Sequence, residues 1–175
     1  MKLLRRIVTG HDARGRSMVI ADGPVPDEGR DLGQLCAWAA ARVPAPTVAR
    51  AEEIDTPAGS LNDPPRQGAK VFFVEFPPDD GTLGEEQRRA YARELFAGLG
   101  PGFTQPDASR HPFMHITPTV DCVIILSGEV SLVLDEGDPV PLEPFDVVVQ
   151  QGTNHAWINT GPEPALLAAV MVAMA

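Results

Sequence analysis

Short runs of β-branched and aromatic residues, each cut off by glycine or proline, recur along most of this chain. Leu4 to Val8 and Ser17 to Ala21 are two such runs. The piece between them carries Gly10, Asp12 and Gly15, which predicts an N-terminal hairpin closed by Asp22-Gly23-Pro24. Val71 to Phe76 reads as a strand, because its residues suit a pleated, half-buried surface and Pro77 and Pro78 stop it. The period then changes. Tyr91, Leu95, Phe96 and Leu99 stand at helical spacing behind Thr82, a candidate cap, and the acids Glu85 and Glu86, and Gly98 or Gly100 ends the run. This predicts one helix. Residues 33–43 have helical propensity, but periodicity does not settle their state. Residues 44–68 are rich in Pro, Ala, Asp and Gly without periodicity and read as a long loop draped over the rest.

Beyond the helix the two-residue period returns. Met114 to Thr117, Asp121 to Ser127, Val130 to Leu134, Val147 to Gln151, Ala156 to Asn159 and Ala165 to Val172 read as strands, with turns at Gly128, Gly137, Pro144, Gly152 and Gly161. Short strands at such regular intervals predict a sandwich or barrel, and closure would protect their edges. There is no internal repeat.

Composition agrees. At 175 residues and 43% hydrophobic the chain can bury one sizeable core, so one structural domain with elaborations is expected. Gly 16 and Pro 18 against 6% aromatics suit many tight turns. The net charge of −10 is unevenly placed: residues 101–175 hold nine acids and one basic side chain, Arg110. Such a surface repels polyanions, which excludes nucleic acid and anionic membrane as expected partners. A small, weakly charged ligand fits better. Cys36 and Cys122 are too few and too far apart for a disulfide framework, so a reducing cytoplasm is the expected compartment. Met1 to Arg6 carries charge without an apolar stretch of leader length, and the longest apolar run, Ala165 to Ala175, is well short of the ~20 residues that span a bilayer.

The candidate chemistry lies in two stretches. The first is His115-Ile-Thr117-Pro-Thr-Val-Asp121, with Gly128 seven residues after the aspartate, and the second holds Gly152, His155 and Asn159. This pair resembles the two conserved motifs of the cupin superfamily, HxH-(x)3,4-E-(x)6-G and PxG-(x)2-H-(x)3-N, over about residues 110–173. Here Thr117 stands for the second histidine, Asp121 for the glutamate, Gln150 for the proline and Phe145 in a usual Gly-Asp turn. The segments Arg5 to Asp12 and Val71 to Pro78 also resemble the entry strands of one group of small single-domain cupins. The resemblance implies an all-β, cupin-like double-stranded β-helix or jelly-roll barrel with the N-terminal hairpin and one helical insertion. Residues 1–109 would pack on a motif core of 110–175, and 33–43 would be extended. Homodimerisation, common among similar proteins, would bury the amino-terminal strands.

Residues two apart on a strand share a face, so His115 and Thr117 point together, as do His155 and Trp157. By resemblance that face is the lumen. Two histidines and a carboxylate converging there would hold one divalent metal, Fe, Mn, Zn or Ni, with ligands His115, Asp121 and His155. Without metal, Asp121 would fix the tautomer of His115 or His155 and leave the other nitrogen as a base. Either way the resemblance implies a small-molecule enzyme (isomerase, dehydratase, cyclase or oxygenase-like) whose catalytic residues are His115, Asp121 and His155. A non-catalytic metabolite-binding or structural barrel that has lost its metal is the alternative. Thr117 and Trp157 are candidate substrate contacts. Glu75 is another, or else pairs with an arginine such as Arg110, since a one-residue slip of phase reverses its face. His111, beside Pro112 in a loop, reads as solvated or as a fourth ligand, and His11 as a surface residue. There is no phosphate loop, no serine elbow and no CxxC pair.

Overall fold

The computed structural model describes residues 5–11, 14–25, 30–40, 67–79 and 81–174. Strands β1 (Arg5–His11) and β2 (Ser17–Pro24) form the expected antiparallel hairpin. Arg6 ties it to the next strand by donating to the Ala37 carbonyl at 3.2 Å. That strand, β3 (Gln34–Ala40), is extended as the resemblance implies, while residues 41–43 of the expected segment lie outside the described residues. After β4 (Ala69–Phe76) comes α1 (Glu85–Leu99), then β5 (Thr119–Ser127), β6 (Val130–Leu134) and β7 (Val140–Leu142). The chain closes with β8 (Val147–Gln151), β9 (His155–Asn159) and β10 (Ala165–Ala173). One five-stranded sheet has the order β3-β4-β10-β5-β8 and a three-stranded sheet the order β7-β6-β9. This is the expected mainly-β jelly roll. The loop expected over 44–68 falls largely on 41–66, outside the described residues.

Register explains which side chains turn inward. In the large sheet Ala39 pairs with Lys70, Lys70 with Met171, Met171 with Asp121 and Asp121 with Gln150. Directly opposed residues share a face, and all five are buried. Two residues along, Phe72, Ala169, Val123 and Val148 form the next row. Val123, Ile125, Val130, Ala165, Leu167 and Ala169 make the apolar core, with Phe72, Val74, Phe76 and Trp157 packed against it. Burying the valine, isoleucine and leucine side chains among them contributes about 1.5–3 kcal/mol each.

The helix begins two residues later than its candidate cap Thr82 implies. Gly84 precedes it, and its N–H donates to Gln87 Oε1 at 3.0 Å. Arg89 bridges back to Glu85 at 2.7 Å across one turn. Ala92, Phe96 and Leu99 are the buried stripe, against Leu95, Phe103 and Phe113. Two further boundaries differ from the sequence reading. Met114 to Thr117 is no strand: its ladder pairing is limited to isolated bridges, His115 to His155 and Thr104 to Ile116. Pro112 and Pro118 flank it without N–H groups, and Gln105 Nε2 takes the carbonyls of Pro112 and Met114 at 2.8 and 2.9 Å. The short β7, with proline at its centre, left no alternating signal.

Two turns are conformationally demanding. Phe145 is the sole non-glycine with positive φ among the described residues, at 76°, and is 81% exposed. Gly128 has φ 88°, and a Cβ there would lie 2.6 Å from Ala165 Cβ. The left-handed region costs an L-residue about 1–2 kcal/mol. Phe145→Gly is therefore expected to raise stability by about 1 kcal/mol, since little burial is lost, whereas Gly128→Ala should lower it by roughly 2–4 kcal/mol. Urea denaturation of both variants checks this; unchanged midpoints would mean that neither turn stores strain.

Candidate active site

Between the two sheets, under α1, lies a cavity of about 530 Å³. Its lining is mostly apolar and aromatic: Phe72, Phe76, Phe96, Phe103, Phe113 and Trp157 among others. His115, Thr117, Asp121 and His155 all border it, so the residues singled out from the motifs do converge on one lumen.

The two histidines meet through their backbones first. His115 N–H donates to the His155 carbonyl at 2.8 Å and His155 N–H to the His115 carbonyl at 3.0 Å. Their rings lie 4.3 Å apart at 46°. Phe96 and Phe103 close on His115 at 4.9 and 5.6 Å, and Trp157 meets His155 edge-on at 5.5 Å. Each Nδ1 lies 2.9 Å from a backbone carbonyl, Phe113 O for His115 and Thr153 O for His155. A carbonyl can only accept, so each Nδ1 carries the proton and each Nε2 keeps its lone pair. Burial pushes His115 down to about 3, helped by the neighbouring His155, and pushes His155 down to about 4. Both are neutral imidazoles at physiological pH.

Asp121 is not the group that fixes either tautomer; the backbone does that, because each carbonyl is held in place beside its ring. Gln150 donates to the Thr153 carbonyl at 3.1 Å and so braces the acceptor of His155. Asp121 itself is buried at 5% exposure. Its Oδ2 faces the Thr117 hydroxyl at 3.5 Å, and Thr117 accepts from Thr119 at 2.9 Å. Its Oδ1 is buried without a hydrogen-bond partner. Burial raises its pKa to about 6, against the opposing pull of Thr119, Thr117 and Lys70. Lys70, 1% exposed in the same register row, is the residue that sequence reasoning missed. The signal was present: Lys70, Phe72, Val74 and Phe76 share one strand phase.

The remaining candidates divide. Trp157 borders the cavity as expected. Glu75 also borders it, but takes the opposite strand phase from Val74 and Phe76. Arg110 does not pair with Glu75; its guanidinium donates to the carbonyls of Leu134 and Gly137 at 2.6 and 2.7 Å. His111 is buried rather than solvated, because Phe113 and the Asp79–Arg88 pair close around it. Asn159 is structural: Nδ2 donates to Phe76 O and Glu163 O at 3.0 and 2.7 Å, and Oδ1 accepts from Gly161 N–H at 2.9 Å. His11 is exposed.

The sequence pattern of the cupin domain matches residues 102–172. Phomopsin biosynthesis cluster protein C' of Diaporthe leptostromiformis is 30% identical over 137 residues, 61% of this chain and 72% of that protein. The chain belongs to the cupin family. A second relative, cupin-domain-containing oxidoreductase fogC of Aspergillus ruber, is 25% identical over 154 residues, 88% of this chain. This cupin spans 63% of fogC's length and 24% of that of phomopsin biosynthesis cluster protein D, which it matches at 50% over 46 residues. Among solved structures it is similar to polyketide cyclase RemF of Streptomyces resistomycificus, at 16% identity, TM-score 0.39, 79% of this chain and 64% of that one. A cupin of Methanocaldococcus jannaschii with a double-stranded beta-helix fold matches at 11% identity, TM-score 0.39, over 60% and 70% of the two chains.

As a metal centre this cupin's donor set is incomplete. The two Nε2 atoms are suitable ligands, each with its Nδ1–H held in the manner of metal-bound histidines. Thr117 offers a neutral hydroxyl, however, and among the described residues no three His, Cys, Asp or Glu side chains converge as a metal requires. The residues present do not fit a three-ligand site.

The buried titrations have a consequence for stability. The folded histidines bind protons at about 3 and 4 and the unfolded ones at 6.5, so their contribution is present above 6.5 and lost as pH falls. Asp121 runs the other way: raised from 3.8 to about 6, it contributes below 3.8 and loses that as pH rises through 6. Two groups outweigh one, so between pH 4 and 6 this site should make stability rise with pH by on the order of 1 kcal/mol per unit. Asp121→Asn should gain on wild type by on the order of 2–3 kcal/mol between pH 4 and pH 7. Urea midpoints measured across that range decide it; a pH-independent difference would refute the raised carboxyl.

Proposed function

We propose that this cupin is a small-molecule enzyme that transfers protons on a largely apolar, ring-sized substrate held in the barrel lumen. The observation that carries this reading is Asp121 Oδ1, buried, without a partner and on a carboxyl that titrates near 6 beside the cavity. A base works best when its pKa lies near the working pH, and Asp121 is far nearer to it than His115 or His155. Asp121 takes a proton from the substrate and returns it at another position, an isomerisation, or to a departing hydroxyl, a dehydration. No oxidant is consumed. The Nε2 lone pairs of His115 and His155 accept hydrogen bonds from a substrate O–H or N–H and hold it against the carboxylate. Thr117 spends its hydroxyl proton on Asp121, and Trp157 supplies an aromatic wall.

Two findings from comparison support an enzyme of small-molecule biosynthesis: relatives named for the phomopsin biosynthesis cluster, and others named cupin-domain-containing oxidoreductases. Among the described residues no helix is long and apolar enough to cross a membrane.

On a substrate found by screening ring-sized ketones and alcohols with mass-spectrometric product detection, kcat/KM is expected to rise with pH through about 6 as Asp121 ionises. Asp121→Asn should lower it by roughly 10²- to 10⁴-fold. Turnover indifferent to that substitution removes the base from the mechanism. A ligand that copurifies and stays unchanged would favour the non-catalytic barrel instead. The paired Nε2 atoms are two of the three donors that a divalent metal would need, and metal content is the check that separates the two readings. Metal analysis of protein purified without a polyhistidine tag should show substoichiometric metal that His115→Ala and His155→Ala leave unchanged. Stoichiometric metal lost in both variants would replace proton transfer with metal-assisted chemistry.

A further inference from the structure

A third histidine faces the same cavity, away from the motif residues. His111 lies between α1 and β5 in the chain, its side chain nine-tenths buried and its ring 5.5 Å from that of Phe113. Its Nδ1 accepts the Phe113 backbone N–H at 3.3 Å. The ring is neutral, because burial lowers its pKa against the pull of Asp79. With Nδ1 occupied as acceptor, the single proton of a neutral ring must sit on Nε2. That Nε2 is buried and has no hydrogen-bond partner. The nearest candidate, Asp79 Oδ2, is 3.7 Å away, too long for a hydrogen bond, and it already accepts from Arg88 NH1 at 3.2 Å. Arg88 NH2 holds the other Asp79 oxygen at 2.8 Å, so the guanidinium binds both oxygens of the carboxylate and holds it off the imidazole.

A buried donor left unpaired costs about 1–3 kcal/mol, and a ligand that supplies an acceptor recovers it. The surrounding charges decide which acceptor. Arg88 and Asp79 neutralise one another and His111 is uncharged, so the cluster has no net positive charge to offer a carboxylate or phosphate. A neutral carbonyl oxygen matches it. We infer that His111 is the specificity-determining residue of this cavity, donating its Nε2–H to a carbonyl oxygen on an otherwise apolar ring-shaped substrate. The inference rests on the lumen being the ligand site, as proposed above, and adds the functional group that the ligand carries. Arg88 acts as a positioning residue, holding the Asp79 carboxylate away from the Nε2 proton.

The test uses 9-fluorenone and fluorene, rings of matched shape with and without a carbonyl, titrated into the full chain and read by tryptophan fluorescence, which Trp157 reports from the cavity wall. His111→Leu should lower the fluorenone-to-fluorene affinity ratio roughly 3- to 10-fold, the worth of one net hydrogen bond, and leave fluorene binding in place. His111→Gln, which restores a donor, should recover part of the ratio. On the wild-type protein, the carbonyl stretch of bound fluorenone should lie below its position in hexane, a readout that needs no variant to fold. A ratio indifferent to His111, or a hexane-like stretch, overturns the assignment while the cavity reading stands. Failure of fluorene itself to bind overturns both.

Discussion

The reciprocal backbone hydrogen bonds between His115 and His155 are the constraint on which the site depends. They pin the irregular segment ahead of β5 to the first residue of β9, and so bring two stretches forty residues apart in sequence into one wall. Once the backbones are fixed, the local carbonyls of Phe113 and Thr153 dictate both tautomers, and packing against Phe96, Phe103 and Trp157 fixes the ring planes. Little is left for side-chain chemistry to arrange. This is why Asp121 is free of the orienting task that its sequence position suggested and can carry a perturbed pKa instead.

Most of the barrel was legible from period and punctuation, since β5, β6, β8, β9 and β10 are apolar or alternating runs closed by glycine or proline. What escaped had physical reasons. β7 is three residues with a central proline and exposes most of its surface. The segment from Met114 to Thr117 has strand-like composition, but its prolines and the Gln105 amide consume the hydrogen bonds that a ladder would need. The site was legible as a set of residues and less so as a set of roles. Spacing brought His115, Thr117, Asp121, His155 and Trp157 to one lumen, whereas the state of each hydrogen bond depends on carbonyls that no motif encodes. Burial of His111 is not legible in the sequence, because a histidine beside proline in a loop has no local signal for it; Asp79 and Arg88, distant in sequence, close around it.

Electrostatically the lumen is less one-sided than the acidic second half of the chain suggested. Lys70 and Arg88 both come from the first half, one from β4 and one from α1, and each acts against a carboxylate, Asp121 and Asp79 respectively. Each of these two buried or half-buried carboxylates thus has a cation acting on it. Such a chamber discriminates by shape and by single hydrogen bonds more than by net charge.

Helix α1 lies outside the stretch that matches the cupin domain, yet Tyr91, Leu95, Phe96 and Leu99 form one side of the cavity. The strand ladders that hold the barrel together do not pass through it. Substitutions along this inner stripe can therefore reshape the chamber without touching the hydrogen-bonded frame, so that among descendants of the same barrel ligand choice can change while strand order and register stay as they are.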